Sequence, residues 1–181
     1  MIRGVILATL LLCLSLPASS GVLEHTAVNA FRDLSQLPGS DQWEYSGYIV
    51  SRQGAIYYTM FPHTDQKSDS VSFDIKAHMI PGDVLVAIYH NHPCHSTTHF
   101  TGWFSTSDLI SAKFHDVPTF MLDNCTGLVH EFDWKKDKVH DTGDDLKVRF
   151  PNGTERWVHL PTGRIVGDLG RKLPNLDKPK P

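Results

Sequence analysis

The chain has no excess of basic charge. Its 17 Lys and Arg stand against 20 Asp and Glu, a formal net charge of −3 over 181 residues. Proteins that bind nucleic acid need cations to neutralise phosphates, so this balance argues against that as the main role. No internal repeat is visible. Apart from one N-terminal run, no apolar stretch approaches the roughly 20 residues of a membrane span. Glutamate is scarce, with only Glu24, Glu44, Glu131 and Glu155. Composition is otherwise that of an ordinary globular domain, 40% apolar and 10% aromatic, which rules out collagen-like, coiled-coil and wholly disordered chains. Histidine is what stands out. There are 11, and His90, His92, His95 and His99 fall within ten residues.

Residues 1–20 read as a cleaved export signal. Met1-Ile2-Arg3 is a positive start, Gly4 to Leu16 an uncharged apolar run, and Ala18 and Ser20 are the small residues of a cleavage site. The mature protein is therefore expected to be secreted or periplasmic, with no membrane association after cleavage. Cys94 and Cys125 remain in an oxidising compartment, where an even count favours a disulfide. Two free thiols, or Cys94 as a metal ligand beside the histidines, are the competing readings.

Apolar spacing from residue 22 to 37 predicts a helix, ended by Pro38-Gly39-Ser40. Strands are predicted at 43–50 and 55–61 around a Gly54 turn, at 71–77, and at 84–90, where Val84 to Ile88 reads as a buried central strand. Ser105 is the expected N-cap of a second helix. Further strands are predicted at 117–122 and 127–134, a second hairpin at 146–150 and 156–160, and a short strand within 163–169. This order gives an α/β (α+β) domain, a central mixed sheet flanked by helices with an extra C-terminal β-hairpin. The expected organisation is a signal over 1–20, a core domain over 21–134, a β extension over 135–170 and a loose tail over 171–181.

The most informative segment is Tyr89-His90-Asn91-His92-Pro93. Residues i and i+2 of a strand share a side, so His90 and His92 present two imidazoles together where Pro93 takes the chain out of the sheet. Two convergent imidazoles are half of a zinc site, and a catalytic site commonly adds a carboxylate and leaves one position for water. Asp108, in the first turn of the Ser105 helix, is the candidate third ligand. Its alternative reading is a helix-start acid favoured by the helix dipole.

His90-Asn91-His92-Pro93 followed by Ser105-Thr106-Ser107-Asp108 resembles the H-x-H-P … S-x-x-D motif of the JAB/JAMM (MPN-type) zinc metallopeptidases, most closely their bacterial members. The resemblance covers roughly Glu24 to Trp134 and implies a cytidine-deaminase-like β-sheet flanked by helices. It implies that His90, His92 and Asp108 hold Zn2+, that Ser105 stabilises the oxyanion, and that Glu44, 46 residues before His90, is the general base. The substrate class so implied is a peptide or protein. Fifteen residues separate His92 from Asp108, more than in many members, and this longer loop carries Cys94, His95 and His99.

A second reading is a non-catalytic metal binder. His90, His92, Cys94, His95 and His99 could together hold copper or zinc in a periplasmic carrier, since imidazole and thiolate suit both. A third is a catalytically dead JAB-like scaffold for a partner protein. Ser-x-x-Asp at a helix start is what the carrier reading does not need. The sequence assigns no oligomeric state. Asn124-Cys125-Thr126 and Asn152-Gly153-Thr154 match glycosylation sequons.

Overall fold

A computed structural model describes residues 20–68, 71, 72, 74–94, 102–136, 144–149, 155–160 and 163–170. The expected signal (apart from Ser20), the tail at 171–181, His95, His99 and Asn152 lie outside these residues. The described elements run α1 (Ser20–Leu34), β1 (Ser46–Arg52), β2 (Ala55–Tyr58), α2 (Ile75–His78), β3 (Val84–His92), α3 (Thr106–His115), β4 (Thr119–Asp123), β5 (Leu128–Phe132), β6 (Asp144–Arg149), β7 (Glu155–Leu160) and β8 (Arg164–Asp168). No helix among the described residues is long and apolar enough to cross a membrane.

The main sheet has six strands in the order β2-β1-β3-β4-β5-β8. Among the described strands of this sheet, β3 and β4 pair parallel and the other pairs are antiparallel. This is the α+β fold with a mixed sheet that the order of elements predicts. The first hairpin closes with Gln53 and Gly54, both at positive φ (51° and 82°). That combination makes the two-residue turn whose twist matches paired strands. A parallel neighbour needs a crossover, and α3 supplies it between β3 and β4.

The faces of the sheet follow from strand alternation. Ile49, Ala87, Tyr89, Phe120, Leu122 and Val129 point to one side, where they pack with Ala27, Ala30, Phe31 and Leu34 of α1. Gly47 lies on this side against the Tyr89 ring; a Cβ there would sit 2.4 Å from Tyr89 Cζ. On the other side Tyr48, Val50 and Ile88 pack with Ile75 and Val117. Farther along the same side, Met121 and Phe132 pack with Phe104. His90 and His92 emerge between these two smaller clusters.

Two expectations change. Among the described residues of 71–77 there is no strand: Asp74 caps the single helical turn α2 by accepting hydrogen bonds from the Lys76 and Ala77 N–H groups. The alternation of Val71, Phe73, Ile75 and Ala77 resembles a strand, but a carboxylate at 74 satisfies helix-start amides instead. In addition, β8, expected in a C-terminal extension, is the sixth strand of the main sheet, paired with β5. The β6–β7 hairpin forms a separate two-stranded sheet, as expected.

Candidate metal centre

β3 runs through His92, two residues beyond the predicted strand end, so both histidines keep strand geometry. His90 pairs with Ser46 on β1 and Met121 on β4, and His92 pairs with Asp123 on β4. Both rings are buried. Phe104, fully buried, stands edge-on to the His90 ring with centroids 6.3 Å apart.

Asp108 arrives from α3. Ser105 Oγ accepts a hydrogen bond from the Asp108 N–H (3.2 Å), and Asp108 Oδ2 accepts one from the Ser105 N–H (2.6 Å). This reciprocal cap fixes both the helix start and the carboxylate. The helix-acid and ligand readings of Asp108 are therefore compatible. One carboxylate closes the cap and also faces the histidines.

The two Nε2 atoms lie 3.2 Å apart. His90 Nε2 is 3.3 Å from Asp108 Oδ1, and His92 Nε2 is 3.6 Å from Oδ2. A tetrahedral ion with ligand bonds of about 2.0–2.2 Å holds its ligand atoms about 3.3–3.6 Å apart. The group of buried His90 and His92 and half-buried Asp108 could thus hold a metal ion. Burial pushes the His90 pKa down, but the Asp108 carboxylate and then the charge of Glu44 outweigh it, leaving His90 above its ordinary value. Burial pushes Asp108 up, and His90 and His92 reverse this, holding its carboxyl well below the usual range. A metal ion needs both imidazoles neutral at the ligating nitrogen, so binding there competes with protons.

Glu44 and Ser105 line the same cleft as the three candidate ligands. The cleft encloses about 360 Å³ and is also walled by Ser46, Ser107, Ser111, Ile88 and Thr119. Glu44 is buried and immediately precedes Tyr45, whose side chain belongs to the α1 side. Thr119 Oγ1 is buried and has no hydrogen-bond partner among the described residues. The hydroxyl residues Ser107, Ser111 and Thr119 escaped the sequence reading, because single hydroxyls on a helix and a strand carry no local signal.

No family model, curated protein or solved structure matches this chain.

Cys94 and Cys125 are joined by a disulfide, with Cα atoms 4.7 Å apart. This settles the choice among the cysteine readings: the Cys94 Sγ is bonded to its own Cβ and to the Cys125 Sγ, and offers no thiolate to a metal. The bond ties the chain just after Pro93 to the turn between β4 and β5. The neighbouring Asn124 donates its backbone N–H to the His92 carbonyl (3.2 Å) and its side-chain amide to the Ser40 carbonyl (2.6 Å). Asn124 is buried, so the first sequon is closed to a glycan in the folded protein.

Proposed function

We propose that this protein is a secreted or periplasmic zinc-dependent hydrolase of peptide or isopeptide bonds, with a site of the JAB/JAMM type. The observation that carries this reading is the convergence of two imidazoles and one carboxylate at tetrahedral spacing, with Glu44 and Ser105 on the wall of the same cleft. His90 and His92, through Nε2, and Asp108 would hold the zinc, which when bound would lower the pKa of water toward ~7 and polarise a carbonyl. Glu44 accepts the proton of the attacking water and returns it to the leaving amine. Ser105 Oγ accepts from the Asp108 N–H, which leaves its own O–H to donate to the developing oxyanion. The bonded Cys94 disfavours the carrier reading, since it removes the one soft ligand of that set.

The test is to purify the mature protein with zinc, count metal per chain, and screen peptide and muropeptide libraries with Glu44→Gln as control. The expected result is one zinc per chain in both proteins, with hydrolysis by Glu44→Gln lower by on the order of 10²–10⁴. Full activity in Glu44→Gln on a confirmed substrate, or loss of zinc from that variant, overturns the assignment of the base.

A further inference from the structure

Asn91 lies between the two histidines on β3, so its side chain points to the opposite side of the sheet. That side is the apolar one, which also carries Tyr89 and, opposite Asn91 on β4, Leu122; Asn91 is fully buried there. An amide in such a place is costly unless its hydrogen bonds are made. All of them go to one short segment of backbone. Asn91 Oδ1 accepts from the Tyr45 N–H at 2.7 Å. Asn91 Nδ2 donates to the Trp43 carbonyl at 3.1 Å and to the Ser40 carbonyl at 2.9 Å. The backbone N–H of Asn91 adds a bond to the Tyr45 carbonyl at 3.1 Å.

The Trp43 carbonyl and the Tyr45 N–H belong to the two peptide units that flank Glu44. Neither lies in the sheet ladder, whose last β1 residue is Ser46, opposite His90. One side-chain amide thus grips Glu44 from both sides of its Cα, and that amide is carried by the residue between the two candidate ligands. Only an amide of this length does so. Aspartate lacks the two donors and brings a charge, serine is too short, and glutamine adds a methylene to a filled core.

We infer that Asn91 is a positioning residue, which fixes the Glu44 carboxylate at a set distance from the His90 and His92 imidazoles. This rests on the reading of Glu44 as the proton acceptor. Glu44's own N–H donates to the Lys67 carbonyl (2.7 Å) and its carbonyl accepts from Thr64 Oγ1 (2.7 Å); Asn91 adds a hold from the far side of the sheet, through a residue that never enters the cleft. In enzymes, misplacing a reacting group by about 1 Å can cost on the order of 10²-fold in rate.

The experiment uses the full mature chain, as wild type, Asn91→Ala, Glu44→Gln and the double variant. Four quantities are measured: zinc affinity by chelator competition, the pH midpoint of the visible absorption of the cobalt(II)-loaded protein, amide exchange at Tyr45, and hydrolysis of a library substrate. Glu44→Gln is expected to move the cobalt midpoint. Asn91→Ala should move it the same way, and the double variant should move it no farther than Glu44→Gln alone. Zinc affinity should stay within about threefold while kcat falls roughly 10–100-fold at constant KM. A merely structural role would instead add to the effect of Glu44→Gln and lower metal affinity in step.

A midpoint unchanged by Asn91→Ala, or an effect fully additive with Glu44→Gln, overturns the inference and leaves the proposed function standing. A Glu44→Gln variant with unchanged midpoint and unchanged hydrolysis overturns both. Should Asn91→Ala fail to fold, Asn91→Ser is read by the same criteria. The Tyr45 amide of the wild type gives a check that needs no variant. Slow exchange supports the clamp, and exchange as fast as that of an exposed loop overturns it.

Discussion

The two sides of the central sheet are built for different ends. Under α1 the strands offer Ile49, Ala87, Tyr89, Phe120, Leu122 and Val129 to one continuous apolar cluster. On the other side the apolar residues split into two small groups, and His90, His92, Asp108 and Glu44 occupy the gap between them. Buried apolar area is the main source of stability, whereas buried polar groups at best offset their own desolvation. One side can therefore carry the fold while the other carries a buried charged cleft. Asn91 crosses this division, since it sits on the stabilising side and spends its amide on the segment that bears Glu44.

Substitutions on each side should separate these ends. The largest effect is expected from Phe120→Ala, which empties a fully buried ring position under α1. Denaturant titration should show a loss of about 3–5 kcal/mol, while the protein that remains folded keeps its metal stoichiometry. Next, His92→Ala on the cleft side should abolish tight zinc binding. Wild type should gain about 2.7 kcal/mol of stability at a zinc concentration 100 times its Kd, and His92→Ala should gain none. Thermal melts with and without zinc check this.

Ser105→Ala is a smaller change. It removes the oxygen that accepts from the Asp108 N–H, and loss of such a cap typically costs about 1 kcal/mol. Zinc should remain bound, and hydrolysis should fall because oxyanion support is lost.

The smallest effect concerns a pair outside all three clusters. Arg52 donates from Nε and Nη2 to the two oxygens of Asp83, at 2.6 and 3.1 Å, and this holds the Asp83 carboxyl below its ordinary value. A carboxyl depressed in the folded state adds stability above its unfolded pKa of about 3.9 and loses it as pH falls through the folded value. Stability measured from pH 7 down to pH 3 should fall less steeply for Asp83→Asn than for wild type over that acid range.

Much of the candidate site was legible because its signals are local. Strand alternation alone puts His90 and His92 on one side, and Ser105 three residues before Asp108 is a capping pattern that also fixes a carboxylate. The element order and both hairpins could be read for the same reason. What escaped depends on partners distant in sequence. The return of β8 to the edge of β5 is a pairing across more than 30 residues that no local pattern encodes. The role of Asn91 was hidden because its partners lie at 40, 43 and 45. The strand expected at 71–77 failed for the opposite reason: a single carboxylate, Asp74, decides the local conformation against a four-residue alternation.

The parallel pairing of β3 with β4 has a consequence for the order in which the molecule assembles. β3, α3 and β4 form one contiguous unit from Val84 to Asp123, and all three candidate ligands lie within it. Glu44 joins from 46 residues upstream of His90, through the antiparallel docking of β1. Contacts between nearby residues close at lower entropic cost than distant ones. On this ground the His90, His92 and Asp108 cluster is expected to form before Glu44 is seated beside it. Time-resolved refolding should then show metal capture leading the protection of the Tyr45 amide.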